Sequence, residues 1–328
     1  MKLQILVPQY KETEKIIKPL LDSIEIQQNV DLEKEVGVII VNDGTDVKLS
    51  RDFLNKYSYQ IEYYQNEHLG VSATRNACLD HAIAEYVMFC DADDMFYSAC
   101  GLYIIFREID KFGGFDALVS AFLEESRDPN DPTNITYLTR EYDSTFVHGK
   151  VYKRQFLIDN NIRFNPALTI HEDSYFNCLA QKLAPQAKYS ANTFYLWKWR
   201  DDSVCRHDPK YILKTYNNML DSNTALVTEF IKRNRIIDAQ YYITSMIYDA
   251  YFTMNKDEWI NQENLEYRKA TEKRFKEYYL TFKEYYETID KQIKAQIIVG
   301  IKNRMFQEGL FMETITFDNW IDHVLKEY

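Results

Sequence analysis

Three carboxylates within four positions, Asp91, Asp93 and Asp94, follow directly on the apolar run Tyr86-Val87-Met88-Phe89-Cys90. Carboxylates at this spacing repel one another and resist joint ionisation, so a fold that keeps them together supplies a cation or a polar ligand. The spacing Asp91, Ala92, Asp93 lets two of them reach one divalent ion and the phosphates attached to it. A plain acidic turn, with Asp94 capping the next helix, is the competing reading of the same nine residues. A second acidic pair, Glu172-Asp173, follows His171 at the start of a helical pattern, where acids also serve simply to oppose the helix dipole.

The elements that must position these groups alternate along the chain. Leu3 to Pro8, Val36 to Val41, Ile61 to Tyr64 and Tyr86 to Cys90 read as short strands, apolar rather than alternating. Thr13 to Ile26 and Val71 to Ala84 read as helices between them. Such an order predicts a mostly parallel sheet covered on both faces, with ligands at the carboxyl ends of the strands. Gln9, Tyr10, Asp43, Asn66 and Asp91 to Asp94 stand at those ends and should converge on one crevice. Further on, Phe115 to Phe146 reads as strands joined by the polar loop Ser126 to Asn134, Tyr152 to Asn160 as a short helix, Ser174 to Leu183 as a helix, and Ala187 to Trp199 as a strand. From about Pro209 the period becomes helical, with stripes Ile212/Tyr216/Met219/Leu220, Tyr242/Ile243/Met246/Ile247/Tyr251 and Phe275/Tyr278/Phe282/Tyr285/Ile289/Ile293. The expected division is 1–208 and 209–328.

With 328 residues, 46% of them hydrophobic, the chain can bury a sizeable core in one large domain or two smaller ones. A net charge of -11 argues against broad nucleic-acid binding, which depends on Lys and Arg neutralising phosphates, but leaves room for a local basic groove. Cys78, Cys90, Cys100, Cys178 and Cys205 lack paired metal spacing and read as core thiols in a reducing compartment. The sequence opens without a signal-peptide pattern, and no stretch reaches about 18 apolar residues. A cytoplasmic protein that does not span a membrane is expected.

Taken in order, Val7-Pro8-Gln9-Tyr10, Val41-Asn42-Asp43-Gly44, Gly70-Val71-Ser72-Ala73-Thr74-Arg75-Asn76, Asp91-Ala92-Asp93-Asp94 and His171-Glu172-Asp173 resemble the motifs of a family-2 glycosyltransferase with the GT-A fold. The similarity runs from Met1 to about Arg206. It implies an α/β fold of GT-A type, a mostly parallel sheet flanked by helices, followed here by a helical region for which no resemblance is recognised. It also implies an inverting transfer from a nucleotide-sugar donor, UDP-linked, to an acceptor hydroxyl, with Mn2+ or Mg2+ as cofactor. By that resemblance Pro8 and Tyr10 flank the base, Asp43 bonds its edge, Arg75 faces the nucleotide or its phosphates, Asp91 and Ala92 meet the ribose, Asp93 holds the metal and Asp173 is the base. His148, His171, Arg200, Arg206 and His207 are looser candidates, Arg200 or Arg206 as a clamp on the diphosphate, as are Trp197 and Trp199 for an acceptor platform.

Lys11, Thr74, Cys78 and Ala84 depart from the family pattern, at the edge of the nucleotide pocket or in helix packing rather than among the acids. Neither G-x-G-x-x-G nor G-x-x-x-x-G-K-[ST] occurs, which removes dinucleotide-binding and P-loop enzymes. The acceptor stays open among a cell-surface glycan or polymer, modified DNA and protein, and a catalytically silent scaffold is the rival from another class. The helical region is compatible with acceptor binding or with a homo-oligomer contact.

Overall fold

The computed structural model describes every residue except 129, 130, 132, 201–207, 209, 308–314 and 328. Arg206 and His207, and Cys205 among the thiols, therefore lie outside the described residues. Two compact units divide the chain, Met1–Ser203 and Val204–Tyr328.

In the first unit β1 (Leu3–Gln9), β2 (Val36–Asn42) and β4 (Tyr86–Phe89) are the apolar runs, and every residue in them except Pro8 is buried. Strands buried on both faces suit parallel pairing with helices as crossovers. Leu3 accordingly stands opposite Val36 on one side and Tyr86 on the other. β3 (Gln60–Gln65) adds to β2, giving the parallel order β3-β2-β1-β4. Helices α1 (Glu14–Glu25), α2 (Leu32–Glu35), α3 (Arg51–Leu54) and α4 (Val71–His81) make the connections, and α1 turns Ile17, Leu20, Leu21 and Ile24 into the core.

Beyond β4 the sheet is mixed. β8 (Lys150–Lys153) runs antiparallel to β4, and β6 (Ala117–Arg127) antiparallel to β8. β9 (Ala187–Trp197) lies parallel to β6, β5 (Met95–Phe96) pairs with the end of β9, and β7 (Ile135–Arg140) folds back on β6 as an exposed hairpin arm. Helices α5 (Gly101–Phe112), α6 (Arg154–Asp159) and α7 (Glu172–Leu183) complete the unit. The expectation that helix begins at Tyr152 is corrected, because Tyr152 belongs to β8, opposite both Val87 and Ala117. Such a short strand is specified by its neighbours rather than by its own pattern.

The turn after β2 fixes one close approach. Gly44 has φ +70°, and a Cβ there would stand 2.3 Å from the backbone nitrogen of His68. Only glycine lets the 66–68 segment pass over this turn. Asn66 N–H reinforces the crossing by donating to the Asn42 carbonyl at 2.9 Å.

The second unit is helical: Tyr211–Lys232, Ile236–Met254, Asp257–Ile260, Leu265–Thr288, Lys291–Gln307 and Phe317–Glu327. Its interior holds Trp259, Trp320 and Tyr278. Two members of the expected stripes face outward, Ile212 and Ile293. The buried stripe of the first helix is Leu213, Tyr216 and Leu220, and Ile212, one position earlier, is turned about 100° from Leu213. The basic residues of Leu265–Thr288 mostly serve the unit itself: Arg274 pairs with Asp221 and Lys276 donates to the Leu325 carbonyl. No helix among the described residues is long and apolar enough to cross a membrane.

Candidate active site

Parallel strands bring their carboxyl ends to one edge, and here the ends of β1, β2 and β4 meet the start of α4 around a cavity of about 340 Å³. Pro8, Tyr10, Asp43 and Arg75 line it together with Asp91, Ala92 and Asp93. Of the strand-end residues expected to converge, Gln9, Tyr10, Asp43, Asp91, Ala92 and Asp93 line this crevice, whereas Asn66 and Asp94 do not, and neither does Asp173. His68 and Glu12 line it too, and sequence reasoning missed both.

At one end stands Asp43, buried. Its Oδ1 accepts the Leu69 N–H at 2.8 Å, the Gly70 N–H lies within 3.2 Å of both oxygens, and His68 Nδ1 is 2.8 Å from Oδ2. These bonds hold the segment that leads into α4, whose start at Gly70 has φ +88°. Tyr10 is exposed, and its ring stacks on that of His68 with centroids 4.9 Å apart.

At the other end Arg75 is buried between two acids. Its Nη2 donates to Asp91 Oδ1 at 2.9 Å and its Nη1 to Glu172 Oε1 at 2.8 Å. Burial works against its charge, but Asp91, Glu172 and Asp173 more than offset this and raise its pKa. Burial likewise pushes the Asp91 carboxyl up, and Arg75 outweighs it, leaving the carboxyl below its ordinary value. Arg75 was expected to face a nucleotide; it lines the cavity, yet both terminal nitrogens are engaged by carboxylates.

Asp173 sits on the first turn of α7, just after His171 with φ 62°. Burial, and next the charge of Glu172, raise its pKa to about 7. One oxygen accepts the Ser174 N–H at 2.8 Å. A carboxyl poised near neutrality suits proton removal from a hydroxyl.

Asp93 turns to a cation already: Arg200 Nη1 lies 2.8 Å from its Oδ2 and 3.8 Å from Glu12. Burial and then Asp91 raise the Asp93 carboxyl against that pairing.

Comparison with known proteins follows the same lines. Residues 4–166 match the description "Glycosyl transferase family 2". This part of the chain belongs to glycosyl transferase family 2. Glycosyltransferase GlyA of Streptococcus pneumoniae is 27% identical over 228 residues, covering 62% of this chain and 32% of GlyA. The poly(ribitol-phosphate) beta-N-acetylglucosaminyltransferase TarS of Staphylococcus aureus is 26% identical over 193 residues, 55% of this chain and 32% of TarS. The matched stretches thus span about a third of each of these two relatives. The crystal structure of S. aureus TarS 1-349 in complex with UDP aligns with a TM-score of 0.59 at 17% identity, covering 96% of this chain and 94% of that one. This likeness shows the GT-A fold, α/β with a helical carboxyl-terminal region.

Two places in the first unit could receive a divalent ion. Asp91, Asp94 and His148 bring ligand atoms within 4.8 Å of one another. Both Asp94 oxygens, however, already accept hydrogen bonds, from the Tyr195 hydroxyl and from Lys198 N–H, and burial raises its carboxyl well above the ordinary value. His148 is buried, with ring contacts to Phe146 and Trp197, and burial lowers its pKa to about 3. Asp93, by contrast, lines the crevice and attracts a guanidinium, so its hard carboxylate oxygens are the better fit for Mn2+ or Mg2+. Of the two tryptophans considered for an acceptor platform, Trp197 packs against Phe146 at 5.1 Å between ring centroids.

Proposed function

We propose that this glycosyltransferase moves a sugar from a UDP-linked donor to a hydroxyl of a cell-surface polymer and inverts the sugar linkage. The observation that carries the reading is the link from the carboxylate tip of β4 to the start of α7, Asp91–Arg75–Glu172, with the raised carboxyl of Asp173 next to Glu172 in the chain. The UDP bound to TarS and the polymer in that protein's name support the choice of donor and acceptor.

In this reading Pro8 and Tyr10 wall the base, and Asp91, held by Arg75 through Oδ1, turns its other oxygen to the ribose beside Ala92. Asp93 and the diphosphate would hold Mn2+ or Mg2+, and the ion, when bound, offsets the charge that develops on departing UDP. Arg200, once released from Asp93, is placed to hold diphosphate oxygens. Asp173, deprotonated, takes the acceptor's hydroxyl proton as that oxygen bonds to the anomeric carbon from the face opposite UDP. The bond from that carbon to the phosphate oxygen breaks in the same step, with its electron pair leaving on UDP.

The test is UDP release from a panel of UDP-sugars with poly(ribitol-phosphate) and other surface polymers as acceptors, with product configuration read by NMR. Acceptor-dependent release and an inverted linkage are expected. Tight UDP binding without turnover on any acceptor would favour a scaffold, and a retained linkage would remove Asp173 from the role of base.

A further inference from the structure

Three elements meet where the crevice carries a cation of its own. Glu12 follows β1, Asp93 follows β4, the strand paired beside it, and Arg200 follows β9. Glu12 and Asp93 both line the cavity. One terminal nitrogen of Arg200, Nη1, donates to Asp93 Oδ2 at 2.8 Å and lies 3.8 Å from Glu12 Oε1. The other Glu12 oxygen, Oε2, accepts the Tyr10 N–H at 2.8 Å. The backbone after β1 thus fixes which oxygen faces the arginine.

A guanidinium and a divalent ion are rivals for Asp93. A hard ion binds a carboxylate oxygen directly, and Oδ2 is the oxygen to which Arg200 donates. An ion on Oδ1 would still meet the charge of Arg200 across one carboxylate. The Arg200 and Asp93 side chains are 30% and 27% exposed, so water screens that charge only in part. Glu12 is beyond hydrogen-bond distance of Nη1, yet near enough to attract it. It is the acid beside which the guanidinium stays once Asp93 is taken.

We infer that Arg200 stands in for the divalent ion at Asp93, and that Glu12 is a positioning residue that keeps the displaced guanidinium in the crevice. Ion and guanidinium are then alternatives at one carboxylate. The ion alone binds weakly, because it has to displace Arg200. A ligand that draws Arg200 away, such as a diphosphate, strengthens ion binding, and the ion strengthens binding of that ligand by the same factor. The inference rests on the reading of Asp93 as the metal residue, and the experiment separates the two.

Titration of Mn2+ alone, followed by loss of the free-ion EPR signal, compares the wild type with Arg200→Gln and Arg200→Lys. Arg200→Gln should bind Mn2+ about fivefold tighter than the wild type, the upper end for a partly screened ion pair. Arg200→Lys, which keeps the charge, should stay near the wild type. Adding Asp93→Ala to Arg200→Gln should remove the gain. Glu12→Gln should weaken Mn2+ binding more in the wild type than in Arg200→Gln, because its positioning role needs the arginine.

If Asp93→Ala lowers the Mn2+ affinity of the wild type whereas Arg200→Gln does not raise it, the metal reading stands and the inference is overturned. A gain in Arg200→Gln that survives loss of Asp93 would overturn it too, since the ion would then sit elsewhere. A Glu12→Gln effect of equal size with and without Arg200 would overturn the part given to Glu12. If neither Asp93→Ala nor Arg200→Gln changes Mn2+ affinity, the metal reading itself fails and the inference falls with it.

Discussion

The two ends of the crevice handle buried acid in opposite ways. At the Asp43 end a single carboxylate is met by backbone N–H groups and an imidazole, and the bonds fix a loop. Around Arg75, Asp91 and Glu172 share one buried guanidinium, with Asp173 next to Glu172 in the chain, while Asp93 leans on Arg200. Satisfied acid builds a wall. Under-compensated acid, visible as the raised carboxyls of Asp93 and Asp173, is placed where a cation or a substrate proton can relieve it.

The contrast breaks most completely if its shared cation is removed. Arg75→Met leaves Asp91 and Glu172 buried without their partner and should lower the unfolding free energy by about 3–5 kcal/mol, the usual penalty for breaking a buried pair. Chemical denaturation measures this, and an unchanged midpoint would mean that the guanidinium is not what holds the two acids together.

Asp173→Asn comes next. Transfer should fall by about 10²–10⁴, the range for a lost general base, with UDP affinity retained. The pH dependence carries its own sign. The folded state holds the Asp173 proton up to about 7, whereas an unfolded aspartate loses it near 3.9, so unfolding releases a proton between these values. Stability from this group therefore declines as pH rises through that window, while activity rises as the base ionises. The stability of the variant relative to wild type should climb with pH across the same window. A rate profile of the wild type that is flat between pH 5 and 8 would separate Asp173 from catalysis.

Much of this arrangement is legible in the sequence alone. Apolar runs such as Val36 to Val41 carry their own signal because both faces of a parallel sheet are covered, and the polar residues after them must then share an edge. What stayed hidden was pairing across distance. Arg75 meets Glu172 from 97 positions away, and no local pattern announces that contact. β5 and β8, of two and four residues, are set by the strands they pair with, β9 for the first and β4 and β6 for the second. His68 was passed over because a lone histidine in a polar loop has no period. The nearest clue was Gly44 in Asn42-Asp43-Gly44, a turn glycine whose missing Cβ makes room for the His68 backbone.

Metal-dependent nucleotide binding tests the crevice around Asp93 most directly. Calorimetry of UDP with and without Mn2+, on the wild type and on Asp93→Ala, should give an affinity at least about tenfold higher with the ion, a difference of about 1.4 kcal/mol, and Asp93→Ala should abolish that gain. UDP affinity indifferent to Mn2+ and to Asp93, or no UDP binding at all, would contradict this reading of the crevice.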